Sequence, residues 1–186
     1  NLEEVDRFIL ARYGELARKI VQGYDAYDYP TIFQELNAFM TVDLSALYND
    51  ISKDRLYTFR AQSRERRSAQ SAMYTMADGL TRLLAPILPV TADELWRNMP
   101  GPAAGREESV HLALFPADAE LQSYVDRDVL KRWAELLVIR EAVTSSLEIL
   151  RKDKRIGNSL QARVAVTATG SDLALLARYR EQLPMR

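Results

Sequence analysis

A chain of 186 residues with 47% apolar and 27% charged residues has the composition of an ordinary globular protein, which argues against disorder. Its 25 basic and 26 acidic residues give a net charge of −1. This net charge excludes a protein that binds nucleic acid through a surface that is cationic throughout, but it does not exclude a local basic patch. The absence of cysteine excludes disulfides and thiolate metal sites, and there is a single histidine, His111. This composition is typical of an intracellular protein, and we expect a cytoplasmic one. No apolar run approaches the roughly 18 residues of a membrane span, so no membrane partner is expected.

The chain begins with a pattern typical of a long amphipathic helix. Apolar residues recur three or four positions apart, which places them on one helical stripe, and charged residues fill the other faces. We predict that the helix ends near Asp28, because Pro30 disfavours helical backbone at Tyr29 and suits the first turn of a second helix. The predicted core stripe comprises Leu2, Val5, Ile9, Tyr13, Leu16, Ile20, Tyr24 and Tyr27.

The next two predicted helices are joined by a polar stretch. The second helix runs from about Pro30 to Tyr48, and the stretch 49–57 is interpreted as its end and a turn. The third helix begins at Ser63, whose hydroxyl can accept a hydrogen bond from the first turn. It is stopped or kinked by prolines at 86 and 89. The predicted apolar faces are Ile32, Phe33, Leu36, Phe39, Met40, Leu44 and Leu47 on the second helix, and Met73, Met76, Leu80, Leu83, Leu84 and Ile87 on the third.

The region from Thr91 to Pro116 predicts a short helix, a loop and an extended segment. Thr91 and Glu94 fit a capping box, in which each side chain satisfies a free backbone N–H group at the helix start. The stretch 100–105, rich in proline and glycine, predicts a loop. The apolar run Val110–Pro116 predicts an extended segment, within which we expect His111 to be packed and hydrogen-bonded.

Another long helix is predicted over about residues 126–155. Gly157 or Asn158 is a natural C-cap, and the cations of Arg151–Arg155 are interpreted as partners of the negative end of the helix. Its predicted apolar stripe consists of Val129, Trp133, Leu136, Val143, Leu147 and Leu150.

A single strand and a short helix are predicted after it. Ala162–Thr169 alternates with period two and is rich in β-branched residues, and Asp172–Gln182 is predicted as a final helix. A lone strand is not stable, so its partners are expected outside this chain or among segments without a clear strand pattern. The predicted fold class is mainly α, with an antiparallel helix bundle over 1–118 and a partial α/β junction element over 119–186. From the two ends we expect a piece of a longer chain; the alternative is a processed natural protein.

The strongest local signal for chemistry is basic, since no nucleotide-binding, metalloprotease or serine-hydrolase motif occurs. The 15 residues Lys53–Arg67 carry six cations and two anions, net +4, with Tyr57 and Phe59 interleaved. Arginine pairs with phosphate through two hydrogen bonds, and aromatic rings stack on unpaired bases, so the segment suits RNA. The alternative is a solvated face that pairs with the bundle's own acids, and charge alone favours this alternative.

Several motifs resemble those of isoleucyl-tRNA synthetases, which are class I aminoacyl-tRNA synthetases. The most specific are Asp50–Tyr57 and Glu65–Gln70, whereas Ala85–Pro89 and Asp93–Trp96 are shared with valyl and leucyl relatives. The matches run in order across residues 5–166. The remaining matches are Asp6–Leu10, Val42–Tyr48, Glu108–Leu112 and Ile156–Ala162.

The resemblance implies the helical anticodon-binding region of a synthetase, with the start of the following C-terminal junction. Such an enzyme attaches isoleucine to its tRNA using ATP with magnesium, and many relatives also hold zinc in a cysteine-rich module. The adenylate-binding signatures and the editing domain of the class are absent from this sequence, which also has no cysteine. The chain alone is therefore expected to be non-catalytic and to hold no cofactor. Its implied partners are the tRNA anticodon stem-loop and the remaining domains of the synthetase.

Charge and resemblance together define the predicted tRNA-binding residues. A core role is expected for Tyr13, Phe33, Trp96 and Trp133, which suit packing. The predicted tRNA-binding residues from the basic segment are Lys53, Arg55, Tyr57, Arg60, Arg64, Arg66 and Arg67, and position in related enzymes adds Arg7, Arg12 and Tyr29.

The alternative function is a structural module that supports the rest of the synthetase, with the tRNA contacts mainly elsewhere.

Overall fold

The computed structural model describes residues 2–101, 105–158 and 161–180, which form helices joined by short connections. The mainly α fold class is confirmed, and no described helix is both long and apolar enough to cross a membrane. In chain order the elements are α1 (Glu4–Asp25), α2 (Tyr29–Ala38), a π-helical segment (Phe39–Tyr48), α3 (Asn49–Tyr57), α4 (Arg64–Leu84), α5 (Pro89–Asn98), a 3₁₀ turn (Val110–Leu112), α6 (Asp118–Tyr124), α7 (Arg127–Lys152) and α8 (Gly170–Arg178).

The chain divides into two compact units, residues 1–127 and 128–186. The first unit extends beyond residue 118, where the sequence placed the boundary, because α6 packs against the middle of α1. A Cβ atom on Gly14 would lie 2.8 Å from the backbone oxygen of Leu121. Arg18 Nε also donates a hydrogen bond to Asp118 at 2.8 Å. Helix α6 therefore belongs to the bundle and not to the following unit.

Helix α1 is central to the first unit, and its predicted stripe is confirmed over most of its length. Ile9, Tyr13, Leu16 and Ile20 are all buried in the main core. The direction of the next helical run, from α2 to α3, follows from contacts at the two ends of α1. Lys19 near the C-terminal end of α1 pairs with Glu35 of α2. Asp6 near its N-terminal end pairs with Arg55 of α3. The run formed by α2, the π segment and α3 is therefore antiparallel to α1.

Helix α4 runs parallel to α1. Arg64 at the start of α4 forms an ion pair with Glu3 at 2.9 Å. At the other end, the Tyr24 hydroxyl donates to the carbonyl of Leu83 at 2.8 Å, and burial raises the pKa of Tyr24 to about 12, so this hydroxyl remains a donor at neutral pH. The starts of α1 and α4 and the end of α3 therefore meet at one end of the bundle.

Helix α1 ends in a turn that the sequence pattern did not reveal. The N–H of Asp28 bonds to the carbonyl of Gly23 at 2.8 Å, and that of Tyr27 bonds to Tyr24 at 3.1 Å, which is a Schellman arrangement. This turn places Tyr27 in the left-handed region, with φ 56°. The prediction of Tyr27 as a core residue is wrong, since it is 79% exposed.

We expect Tyr27→Gly to raise the free energy of unfolding by about 0.5–1 kcal/mol, because glycine adopts left-handed backbone without the Cβ penalty, and this gain exceeds its extra entropy in the unfolded chain. Thermal unfolding followed by circular dichroism measures the change. Tyr57→Gly is the control, since it replaces an exposed tyrosine in ordinary helical backbone and should destabilise. A lower melting temperature for Tyr27→Gly would contradict the turn.

A continuous helical run connects Tyr29 to Tyr57, where the sequence predicted a helix followed by a turn. Its central part, Phe39–Tyr48, is a π-helix, whose i→i+5 bonds widen each turn. Asp43 and Tyr48 of this segment are buried. Of the predicted apolar face, Ile32, Leu36, Phe39 and Leu47 are buried and Leu44 partly buried, whereas Phe33 and Met40 are exposed, so their prediction as core residues is wrong.

The third predicted helix is confirmed at its start, and the fourth is not. Ser63 caps α4, its hydroxyl oxygen accepting a hydrogen bond from the N–H of Arg66 at 3.3 Å. Helix α5 begins at Pro89, so Thr91 lies inside the helix and the predicted capping box is wrong. A proline in the first turn has its φ already set for helix, and this local preference fixes the start.

A second, smaller core forms around Trp96. Its indole packs with Ala85, Ala92 and Val110 and donates to the carbonyl of Glu107 at 2.8 Å, which confirms the packing role. Val110–Leu112 is a 3₁₀ turn and not the predicted extended segment. The turn directs Val110 inward and leaves His111 exposed, so the prediction of a packed histidine is wrong.

The second unit contains most of α7 and all of α8. Trp133 is buried as predicted, and its ring contacts Tyr179 edge-on at 6.3 Å. Arg132 Nε donates to the Tyr179 hydroxyl at 3.3 Å, which also joins the two helices. Only Val129 and Trp133 of the predicted α7 stripe are buried, and Leu136, Val143, Leu147 and Leu150 are half-covered.

The strand predicted over Ala162–Thr169 is not formed among the described residues. Alternation of apolar and polar residues permits a strand, but a strand also needs a neighbour to receive its backbone hydrogen bonds. Helix α7 ends at Lys152, with Lys154 and not a glycine in the left-handed region at φ 57°. The predicted end of the last helix, at Gln182, lies outside the described residues.

Candidate nucleic-acid interface

The predicted basic segment lies at the end of the bundle where α1 and α4 begin. Residues 53–57 form the last turns of α3, residues 58–63 form a loop, and Ser63 opens α4. Helix α4 is tied to α1 here, since the N–H of Glu3 donates to the Ser68 hydroxyl at 2.7 Å. The segment therefore lies beside the joined starts of α1 and α4. Its side chains differ in exposure, from 2% for Arg55 to 82% for Tyr57.

Arg55 does not reach the surface. It is 2% exposed and lies against Asp6, which is fully buried. Two parallel hydrogen bonds of 2.9 Å join the guanidinium to the two carboxylate oxygens. The same carboxylate accepts hydrogen bonds from Tyr48, at 2.7 Å, and from Ser68. Arg55 is thus a structural residue that joins α1, α3 and α4 and does not lie on the surface of the bundle.

The pKa shifts of this buried group agree with its charge state. Burial alone would lower the pKa of Arg55, but the hydrogen bonds and charge of Asp6 outweigh burial and raise it. Burial and the charge of Asp6 raise the pKa of Tyr48 far above its ordinary value. Arg55 therefore stays charged and the Tyr48 hydroxyl stays protonated at neutral pH, as their hydrogen bonds require.

Arg66 and Arg67 of the segment bond to neutral oxygens, whereas Lys53 and Arg64 pair with neighbouring acids. Each exposed pair of this kind contributes about 0–1 kcal/mol, so a phosphate could replace the protein's own acid at little cost. Arg60 is exposed and has no acidic partner among the described residues. The contacts are Lys53 with Asp50 at 3.1 Å, Arg64 with Glu3 at 2.9 Å, Arg66 with the Phe59 carbonyl at 3.1 Å, and Arg67 with Gln62 at 2.8 Å.

Two aromatic side chains accompany these cations. The Tyr57 ring is 82% exposed at the end of α3, and the Phe59 ring is also exposed in the loop. Exposed aromatic rings beside arginines can stack on unpaired bases while the arginines hold phosphates. We call Tyr57, Phe59, Arg60, Arg64 and Arg67 the α3–α4 surface.

The three predicted residues outside the segment do not all lie near it. Arg7 belongs to the first turn of α1, where it lies 3.8 Å from Glu4 and 3.9 Å from Asp126. Arg12 lies farther along α1 and pairs with Asp43 and Glu15 at 3.2 Å. Tyr29 is exposed just beyond the opposite end of α1, and that end lies about 27 Å from Arg7 along the helix axis.

Sequence reasoning missed the acids that define this surface. Glu3 pairs with Arg64 of this surface, Asp50 pairs with the neighbouring Lys53, and Asp6 holds Arg55 in the interior. The one available signal was the position of Asp6, which follows Val5 and precedes Ile9 by one helical turn, on the flank of the apolar stripe. A charged residue at such a position is expected to have a buried partner.

A shallow groove on α5 is the other feature with titratable groups. It is lined by Asp93, Glu94, Arg97 and His111, together with apolar residues of the α5 start. A hydrogen bond from Ser109 lowers the pKa of Asp93, and Arg97 pairs with it at 2.8 Å. The described residues contain no group of three His, Asp or Glu side chains arranged to hold a metal.

Comparison with known proteins identifies the family to which this helical bundle belongs. The chain belongs to the family of anticodon-binding domains of tRNA ligases, whose sequence pattern matches residues 6–166. The resemblance seen in the motifs is thereby confirmed.

Among its curated relatives are several isoleucine–tRNA ligases. That of Syntrophotalea carbinolica is 43% identical over 184 residues, 98% of this chain and 19% of that protein. That of Symbiobacterium thermophilum is 41% identical over 187 residues, with 99% and 20% covered. That of Geobacter sulfurreducens is 40% identical over 183 residues, with 98% and 19% covered. The chain thus spans about a fifth of the length of the curated relatives it matches.

Proposed function

We propose that this chain is the tRNA-binding part of an isoleucine–tRNA ligase and that it holds the anticodon stem-loop. The observation that carries the proposal is the match to the anticodon-binding family over residues 6–166, together with relatives of about 40% identity that are isoleucine–tRNA ligases. The parent enzyme would use ATP to attach isoleucine to its tRNA in the cytoplasm, where this reaction serves translation.

The α3–α4 surface is the part of the chain best suited to the RNA. Arg60, Arg64 and Arg67 can each offer a fork of N–H donors that matches phosphate oxygens. Tyr57 and Phe59 provide rings for unpaired bases of the loop. Lys53, Arg66 and Arg7 flank this surface and would add longer-range attraction, whereas Arg12 and Tyr29 would need a second contact region.

The chain itself would bind without catalysing. ATP and magnesium would be held by parts of the parent enzyme beyond this chain, because the adenylate-binding signatures are absent from the sequence. A zinc module of the cysteine-rich kind does not fit this chain, which has no thiolate to supply. Its partners would be tRNA and the remaining domains of the synthetase.

One observation favours a second candidate function, that of a structural support module. The acids of α1 and α3 neutralise several cations of the predicted basic segment, which leaves fewer free charges than the sequence suggests. In this alternative the bundle would brace the synthetase, and the tRNA contacts would lie mainly elsewhere in the parent protein.

Titration of the chain with cognate and non-cognate anticodon stem-loops at about 50 and 200 mM salt separates the two functions. Tight, salt-sensitive binding with preference for the cognate stem-loop supports tRNA binding. No measurable binding at either salt, with binding only in the full-length parent, supports the structural module.

We expect Arg64→Gln with Arg67→Gln to weaken stem-loop binding about tenfold and to reduce the salt slope by about 1.5, because two phosphate contacts are lost. Fluorescence anisotropy with a labelled stem-loop measures both quantities. Arg97→Gln is the matched control: Arg97 is 66% exposed and pairs with Asp93 at 2.8 Å, whereas Arg64 is 65% exposed and pairs with Glu3 at 2.9 Å. Equal effects of the two changes would contradict a local contact.

A further inference from the structure

The second unit of the chain carries a net positive charge, whereas the first unit is net negative. Residues 1–127 contain 14 Lys and Arg against 19 Asp and Glu, a net charge of −5. Residues 128–186 contain 11 Lys and Arg against 7 Asp and Glu, a net charge of +4. A large share of this excess lies in the turn that follows α7, where every residue from Arg151 to Arg155 is exposed. We call Arg151–Arg155 the basic turn.

The backbone of the basic turn is fixed by three hydrogen bonds. The N–H groups of Asp153, Lys154 and Arg155 bond to the carbonyls of Ile149, Arg151 and Leu150 at 3.0, 3.0 and 2.9 Å. Lys154 occupies the left-handed region, with φ 57°, a conformation in which glycine or asparagine is usual. Replacement of Lys154 by glycine would therefore remove a charge and keep a backbone conformation that glycine adopts readily.

The net positive charge of the basic turn is larger than the negative partial charge at the C-terminal end of α7. The negative end of a helix is equivalent to about half an elementary charge, whereas the turn carries four cations and one acid, Asp153. Arg151 pairs with Glu148 at 3.3 Å. Lys152, Lys154 and Arg155 have no acidic partner among the described residues, so three cations are available to an external anion.

We infer that the basic turn is a second RNA-binding site, one that contacts the phosphate backbone of the bound tRNA. This inference rests on the proposed function and names a contact separate from the α3–α4 surface. The turn has several cations within five residues and no apolar or aromatic side chain. That composition suits the sequence-independent neutralisation of phosphates and does not suit a packed protein interface, which needs a buried apolar centre.

Lys154→Gly is the most direct test, because it removes a charge while keeping the backbone in its preferred conformation. We expect this variant to unfold at the same or a higher temperature and to bind a full-length isoleucine tRNA transcript about twofold to fourfold more weakly at about 100 mM salt. The triple variant Lys152→Gln, Lys154→Gly and Arg155→Gln should reduce the salt slope by about 2, because up to three phosphate contacts are lost.

Lys131→Gln with Arg140→Gln provides the control, since both residues are exposed cations of α7 far from its C-terminal end. A triple variant that matches this control in affinity and slope, while Arg64→Gln with Arg67→Gln still weakens binding, overturns the inference and leaves the proposed function intact. Absence of binding by the unaltered chain at every salt concentration overturns both. A larger loss in the triple variant than in the control supports the basic turn as an RNA contact.

Discussion

Replacing Asp6 by alanine is expected to lower the free energy of unfolding by about 3–5 kcal/mol, because it removes one member of a buried ion pair and leaves the other member charged. Arg55 is almost completely buried, and its guanidinium would face a site without a carboxylate. The hydroxyls of Tyr48 and Ser68 would lose the same hydrogen-bond acceptor. The starts of α1 and α4 and the end of α3 would lose their common polar contact.

Urea-induced unfolding followed by circular dichroism measures this loss. Glu15→Ala is the matched control, because it removes a carboxylate from the same helix that also pairs with an arginine, Arg12, at 3.2 Å. That pair is exposed, so its loss should change the free energy of unfolding by less than about 1 kcal/mol. An Asp6→Ala variant as stable as Glu15→Ala would contradict the structural role of the buried pair.

A double replacement shows whether the two charges act as a unit. Asp6→Leu with Arg55→Met leaves no uncompensated charge, and we expect a smaller loss of stability than the sum of the two single losses. Recovery should remain incomplete, because the hydroxyls of Tyr48 and Ser68 still lack their acceptor. Losses that simply add would show that Asp6 and Arg55 do not interact in the folded chain.

The elements that the sequence predicted well depend on local signals. Helix α1 shows a sustained apolar period, and α4 combines such a period with a serine cap at Ser63. The elements predicted poorly depend on competing or non-local effects. Pro89 begins α5 ahead of the capping box at Thr91, and no residue pattern in the sequence distinguishes the widened turns of Phe39–Tyr48 from an ordinary α-helix.

The candidate site shows the same division. The cluster of cations around residues 53–67 was evident from composition, and so was its position between two helices. Which cations face solvent was not evident, because the acids that pair with Arg55 and Arg64 lie about 50 and 60 residues away in sequence, at the start of α1. Only the parallel arrangement of α1 and α4 brings Glu3 and Asp6 to that end of the bundle.

The basic turn was visible in sequence but was assigned entirely to the negative end of α7. Helix-end electrostatics account for about half a charge, and the structure leaves Lys152, Lys154 and Arg155 exposed. The left-handed backbone of Lys154 is a property of the folded turn that composition does not reveal. The sequence alone therefore does not distinguish cations that cap the helix end from cations that are free to bind an external anion; the folded turn does.

Gly79→Ala is expected to lower the free energy of unfolding by about 2 kcal/mol, although alanine is the better helix former by about 1 kcal/mol. A Cβ atom at this position would fall on the Tyr13 hydroxyl and lie 2.7 Å from its Cζ atom. Tyr13 is 1% exposed in the main core, and its ring is flanked by Tyr124 at 6.2 Å. The ring has little room to retreat, so the overlap outweighs the gain in helix propensity.

Two further variants separate these opposing effects in urea unfolding. Ser71→Ala changes an exposed position of α4 and should stabilise by about 0.5 kcal/mol, because it carries the propensity gain without a clash. Tyr13→Phe removes the nearest atom, so the loss caused by Gly79→Ala should be smaller in the Tyr13→Phe background, by about 1 kcal/mol. The remaining ring carbon still lies close to the new methyl group, which is why recovery is expected to be partial. A Gly79→Ala variant that gains stability as Ser71→Ala does would show that α1 and α4 do not approach as closely as the Tyr13–Gly79 contact requires.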